Sequence, residues 1–216
     1  LIIFDAAAGT NHVITLPPVI GSGDRIVIAK SHRENAQTWP AGWTELADYT
    51  NAGAAGLSFA YRDADGTEGA TIDVTTSGTS SAAWAIIRME TFAAADAPEV
   101  SAKTEADASS LASSANLTPS WGSDETTWIT AFCAELDPPR TVSSYPPSYA
   151  DNNTYVAATG SGERCYLGIA SRDLEAASEN PGNFTLSGID NWVALTIGIR
   201  GAAAAAANLT LTKTLA

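Results

Sequence analysis

Two histidines, two cysteines and one loop of alternating carboxylates are the residues whose types and spacing could do chemistry. His32 stands in Lys30-Ser31-His32-Arg33-Glu34-Asn35, just past an apolar run, and His12 stands apart from it. Serines and aspartates abound, so a Ser-His-Asp relay could be drawn around His32. No Gly-x-Ser-x-Gly elbow exists to expose its nucleophile on a sharp turn. A structural or solvated histidine is the expectation. Asp63-x-Asp65-Gly66-x-Glu68 sets carboxylates at alternate positions, where they could converge on a hard cation such as calcium. The EF-hand spacing is not completed, and an Asp-Gly turn explains the segment without a metal. Cys133 and Cys165 lie in apolar, strand-like segments with neither Cys-x-x-Cys spacing nor a neighbouring histidine, which argues against zinc. Buried free thiols are the first expectation. The alternative is a disulfide, which at that loop length typically stabilises by roughly 2–4 kcal/mol. Glycoside hydrolysis needs only two acids about 5–10 Å apart, and 24 acidic residues give no way to choose a pair. Gly-rich phosphate cradles are absent. The expectation is a non-enzymatic chain with no catalytic residue, no cofactor and no metal site.

Aromatic residues carry more information. Trp39-Pro40-Ala41-Gly42-Trp43 and Tyr145-Pro146-Pro147-Ser148-Tyr149 are turn-forming segments rimmed by rings. Exposed, Trp39, Trp43, Tyr145 and Tyr149 could stack on sugar rings or anchor a protein partner. The competing expectation, and the preferred one, is that they fold back and plug the ends of a core.

The elements that must position these residues are strands. Arg25–Ala29, Leu57–Arg62, Thr71–Thr75 and Ala82–Met89 read as strands in the first half. Thr127–Cys133, Arg164–Ala170, Phe184–Ser187 and Trp192–Arg200 read so in the second, and Leu209–Thr212 alternates again. The polar turn 63–69 suggests that Leu57–Arg62 and Thr71–Thr75 form a hairpin. Short helical pieces are expected only around Ala102–Ala112 and Leu174–Ser178. Frequent short strands with turn signals between them imply an all-β sandwich or jelly roll in one domain.

The two halves also repeat. Leu16-Pro17-Pro18-Val19-Ile20-Gly21-Ser22 resembles Leu117-Thr118-Pro119-Ser120-Trp121-Gly122-Ser123. The two aromatic turns correspond, Arg62-Asp63 matches Arg172-Asp173, and each half closes on a strand running from Trp84 to Arg88 or from Trp192 to Arg200. The expected organisation is a single domain over 1–200, with half 1 at about 10–92, a surface crossover at 93–115 and half 2 at about 116–200. Residues 201–216, including the alanine run, form a tail or an extra strand. Neither half is expected to bury its apolar face without the other.

Composition narrows the partners. Lys and Arg number 11 against 24 Asp and Glu, for a net charge of −13. Such a chain is repelled by phosphate backbones, so no nucleic-acid partner is expected. No apolar run reaches the ~18 residues of a membrane span, and Leu1–Phe4 lacks the features of a signal peptide.

In the order of its short motifs the chain resembles β-sandwich proteins encoded in the structural modules of tailed bacteriophages, especially marine ones. The resemblance rests on Gly23–Ile28, Pro40–Leu46, Tyr61-Arg62 with Gly69–Val74, and Phe184–Ser187 with Trp192–Ile197, spanning about residues 16–200. It implies a non-enzymatic virion component, decorating the capsid or belonging to the tail or fibre, on the virion exterior. Implied partners are other virion proteins (capsid or tail subunits), further copies in a homo-oligomer or symmetric array, and a host-surface glycan. A carbohydrate-binding module or receptor-binding lectin is the alternative, and a jelly-roll polysaccharide-active enzyme the third.

Overall fold

The computed structural model describes residues 2–33, 35–51, 55–135, 140–157 and 165–202, with the backbone alone for 2–6 and 151–157. The first half supplies β1 (Ile2–Thr15), β2 (Arg25–His32), β3 (Gln37–Thr38), β4 (Thr44–Asn51), β5 (Ala55–Asp63) and β6 (Thr71–Met89). The second supplies β7 (Glu99–Val100), β8 (Thr104–Ser113), β9 (Glu125–Glu135), β10 (Val142–Ser144), β11 (Ala150–Ala157), β12 (Cys165–Glu175) and β13 (Asn183–Arg200). The chain is all-β, and each half makes its own antiparallel sheet.

The first sheet runs β1-β6-β2-β5-β4, with β3 also on β6. The second runs β10-β13-β9-β12-β11, with β7 and β8 also on β13. Matching β2 to β9, β4 to β11, β5 to β12, β6 to β13, β3 to β10 and β1 to β8 turns one order into the other. The sheets face each other with the same exchange. β4 crosses β13 and β8 while β11 crosses β6 and β1, and β5 meets β9 as β12 meets β2. The halves are therefore related by a pseudo-twofold axis through the sandwich.

The inter-sheet core takes alternate residues of each central strand, among them Val27, Ala29, Leu57, Phe59, Ile129, Leu167, Val193 and Leu195. Yet β2 is buried at all of its positions, not at alternate ones. The reason is that the outer faces are covered as well, each by the sheet's own extension. The start of β6 pairs with the end of β1, Ile14 to Ile72 and His12 to Val74. This flap turns Ile14 and Val74 onto Ile26, Ile28, Trp84 and Ile86 of the same sheet. In the second half Phe184, Leu186 and Ala112 close in the same way over Trp128, Phe132 and Ala194. Each half thus buries its outer apolar face by itself, and the expectation that neither half can bury its apolar face without the other holds for the inner face.

A bend makes each flap possible. Ser77 donates its N–H to Ala36 O at 3.1 Å in the first half, and Ser187 donates to Thr141 O at 2.9 Å in the second. The next residue is glycine in both, and a Cβ there would meet Asn35 Oδ1 at 2.7 Å or Arg140 Nη1 at 2.8 Å. A polar side chain from the preceding loop lies where any larger residue would project.

Four sequence expectations are corrected here. The segment around Ala102–Ala112, expected to be helical, falls largely in β8 (Thr104–Ser113), because pairing with β13 outweighs the propensity of an Ala-rich run. That strand, with β7, also makes the segment 93–115 part of the second sheet and not a bare crossover. Leu174 and Glu175 end β12, and no helix occurs among the described residues. The expected hairpin is absent too: β5 and β6 are separated by β2, whose Arg25 pairs with Asp63 on one side and Met89 on the other. Leu209–Thr212 lies outside the described residues.

Candidate functional site

Under the flap of the first sheet lies a group of titratable side chains. Ile26 and Ile28 face outward on β2, and the same alternation carries Lys30 and His32 to that face. Both are fully buried, as is His12 from β1. Lys30 Nζ donates to Gln37 Oε1. Gln37 Nε2 donates to Asn35 O at 2.5 Å, and its main-chain N–H donates to Asp48 Oδ2 at 2.9 Å. The other Asp48 oxygen faces His32 Nε2 at 3.0 Å, while His32 Nδ1 donates to Arg33 O at 2.5 Å. His12 Nε2 lies 3.0 Å from Ser80 O and donates to it.

The electrostatics follow from burial. Desolvation pushes the Lys30 ammonium down to about 7, against the pull of Cys165, Asp48 and Cys133. Burial first, and then the charge of Lys30, push His12 down to about 4. Burial alone would raise the Asp48 carboxyl, but the His32 ring and the Gln37 amide hold it below the usual range. On the other side of β2 the thiols face the inter-sheet core. Cys165 lies against Ser31 Oγ at 3.3 Å and donates to Ser81 O at 3.0 Å, whereas Cys133 donates to His32 O at 3.7 Å. Both are free. Burial pushes Cys165 up to about 11 and Cys133 higher still, so neither is a ready thiolate at neutral pH.

The second half shows what the fold alone requires at this place. Arg88 holds Asp24 at 2.6 Å near the start of β2, and Arg200 holds Asp124 near the start of β9. Ile26 pairs with Arg88 as Thr126 pairs with Arg200. Followed along the strands from there, Lys30 corresponds to Thr130 and His32 to Phe132. The register with the next strand agrees: His32 pairs with Gly56 and Phe132 with Gly168. Where the first half buries an amine and an imidazole beside a partly exposed carboxylate, the second buries Phe132 against Tyr166 and Phe184.

The aromatic turns are equivalent in the two halves. Trp43 N–H bonds Pro40 O at 3.2 Å, and Tyr149 N–H bonds Pro146 O at 3.4 Å. The third residue of each turn has positive φ, 87° at Gly42 and 66° at Ser148. Trp39 and Trp43 stack at 6.0 Å, half-buried on the outer core of the first sheet. Tyr145 packs edge-on to Phe184, and Tyr149 is buried with its hydroxyl donating to Glu179 at 2.9 Å. Arg172 lies over the Tyr149 ring at 5.0 Å. The two pairs sit on opposite outer faces of the sandwich, so the four rings do not form one platform.

The acidic loop spends its carboxylates internally. Asp63 grips the buried Arg25 through two bonds of 2.6 and 2.8 Å, with the guanidinium 4.2 Å from the Phe92 ring. Asp65 caps Thr67 N–H at 2.8 Å. Glu68 accepts from the N–H groups of Asp65 and Gly66 and from Arg62. Among the described residues no three His, Cys, Asp or Glu side chains gather as a metal site. Grooves open away from the Lys30 cluster: one of about 480 Å³ between Leu16–Ile20 and the end of the acidic loop at Gly66–Ala70, and one of about 310 Å³ beside Asp124, Glu175 and Arg200.

Comparison with protein-family models, curated proteins and solved structures finds no match to this chain. Its own two halves are the comparison it offers. Sequence reasoning placed His12 and His32 but passed over Lys30, Gln37 and Asp48. The signal was present: Lys30 continues the outward face of Ile26 and Ile28 inside an unbroken buried strand, where a lysine needs a partner.

Proposed function

We propose that this chain is a non-enzymatic structural component of a bacteriophage virion, on the head exterior or in the tail or fibre. It works through contacts with capsid or tail subunits and with further copies of itself. The observation that carries this reading is the pair of equivalent edge strands. β4 and β11 each end the hydrogen-bonded order of their sheet, and the pseudo-twofold axis relates one to the other. An open edge offers backbone N–H and C=O groups to a neighbouring chain. Repeated presentation on a symmetric particle turns weak contacts of this kind into firm attachment. The resemblance in motif order to tailed-phage sandwich proteins, read from the sequence alone, is what suggests a virion as the setting. The placement of the titratable cluster beneath the flap, with the grooves opening elsewhere, supports the proposed reading. A net charge of −13 favours a basic patch as the receiving surface.

A second reading has one observation in its favour. The stacked Trp39–Trp43 pair is half-exposed on a rigid turn, a geometry that suits a sugar ring. In that reading the chain is a carbohydrate-binding or receptor-binding module on the same particle.

Amide hydrogen exchange compared between the free chain and the assembled particle tests the preferred reading. Protection of Thr44–Tyr49 in β4 rises on assembly if the edge is a subunit contact. Unchanged exchange along both β4 and β11 contradicts it, and protection confined to Trp39–Trp43 on adding glycans favours the second reading.

A further inference from the structure

Lys30 is an amine sealed against a carboxamide. Lysine is almost never fully buried unless paired with a charge, yet the hydrogen-bond partner of Lys30 Nζ is the neutral Oε1 of Gln37. The fold does not require an amine here, since Thr130 fills the corresponding place in the second half and bonds Ser114 Oγ at 2.6 Å. Gln37 is held on several sides. Its Nε2 is bound to Asn35 O, its main-chain N–H to Asp48 Oδ2, and its backbone is paired with Thr76 of β6. The amide carbon therefore stands beside the amine with little freedom to turn away, the arrangement that most favours reaction between two groups. Burial pushes Lys30 down to about 7, so much of it is the free base at neutral pH, the nucleophilic form. Asp48 accepts the Gln37 main-chain N–H at 2.9 Å, and its negative charge acts on Lys30, favouring the cationic nitrogen that the attack creates.

We propose that Lys30 and Gln37 are joined in the mature protein by an intramolecular isopeptide bond. The Lys30 nitrogen attacks the Gln37 side-chain carbonyl carbon, and a new N–C bond forms. The bond from that carbon to Nε2 breaks, and the departing nitrogen leaves as ammonia with its own two hydrogens and one proton passed to it from the attacking Lys30 nitrogen. Nothing is oxidised or reduced. Exclusion of water protects the intermediate from hydrolysis. The bond ties β3, and with it the flap, to the centre of the first sheet, and a covalent tie of this kind suits a protein whose work is mechanical. The inference stands apart from the virion reading and survives its failure.

Intact-mass measurement of the purified, folded chain tests it. The expected mass lies about 17 Da below that of the sequence, one ammonia lost, and this deficit disappears in both Lys30→Met and Gln37→Met. In the tryptic map the wild-type chain resists cleavage after Lys30, and the peptide containing Lys30 is joined to the one containing Gln37. The Asp48→Asn variant, if folded, forms the bond more slowly or not at all. A folded wild-type chain that keeps its full sequence mass after prolonged incubation at pH about 8, and is cut cleanly after Lys30, overturns the proposal. So does a mass deficit mapped to any other pair of residues.

Discussion

His32 and Phe132 occupy the same place in the two halves, each laid across a glycine of the neighbouring strand. A Cβ on Gly56 would stand 2.3 Å from the His32 ring, and one on Gly168 would stand 2.0 Å from the Phe132 ring. Rings so placed cannot yield without moving a flap. Gly168→Ala is therefore expected to destabilise by about 2–3 kcal/mol, as overpacking does. Phe132→Ala alone is expected to cost about 3–5 kcal/mol. Chemical denaturation of both singles and the double should show strong coupling, with the double variant at least 1 kcal/mol more stable than additivity allows, on the order usual for residues in contact.

Gly42 and Ser148 test the equivalence of the aromatic turns from the backbone side. Ser148 is the only non-glycine residue at positive φ among those described. Ser148→Gly should raise stability by about 0.5–1 kcal/mol by relieving a left-handed conformation. Gly42→Ala should lower it by more than that, because a side chain at φ 87° is strained and the Arg62 guanidinium must also move aside for its Cβ. Melting curves of the two variants should shift in opposite directions.

The loop that looked able to bind calcium is expected to behave as a structural clasp. Asp63→Ala strands the Arg25 guanidinium, 1% exposed, without its carboxylate. Because Asp63 itself is 43% exposed, the loss is set at about 2 kcal/mol, below the range for wholly buried pairs. Asp65→Ala should leave the melting temperature nearly unchanged, since Asp65 is exposed and bonds only its own turn and the Arg62 side chain. Scanning calorimetry with and without added calcium separates the accounts: a melting temperature raised by calcium in wild type but not in Asp65→Ala would restore the metal.

Two buried groups should give opposing pH dependences. His12 falls from 6.5 to about 4 in the folded state, so between those values the unfolded chain binds more protons and stability is lost as pH falls. Burial raises Asp190 from 3.8 to about 6, so there the folded chain binds more protons and stability is lost as pH rises. Each slope is at most about 1.4 kcal/mol per pH unit. Between pH 4 and 6 the two largely offset one another. His12→Gln should therefore expose a stability that falls with rising pH, and Asp190→Asn one that rises, in urea titrations across that range.

Much of the fold was legible because apolar strand cores announce themselves. Arg25–Ala29, Thr127–Cys133 and Trp192–Arg200 were readable from their residues, as were the paired aromatic turns. The repeat was legible in outline but not in register. Arg88 and Arg200 are equivalent, whereas Trp84 pairs with Lys30 and Trp192 with Ala134, so the two tryptophans are not counterparts. A strand tolerates such an exchange because both positions face the same outer core. The strand β8 was hidden by small residues that suit a helix as well as an edge. The flaps were hidden because covering an outer face is a long-range event: Ile14 and Val74 alternate like any half-exposed strand. The cluster around Lys30 escaped for the same cause, since its burial depends on β3 and the flap closing above it.

Electron cryomicroscopy of the native particle tests the central claim most directly. The account predicts an ordered, repeating copy of this sandwich, with β4 or β11 set against a capsid or tail subunit or another copy of the chain. A free monomer whose edges touch nothing, with Trp39 and Trp43 lining an open glycan-filled cleft, would contradict it.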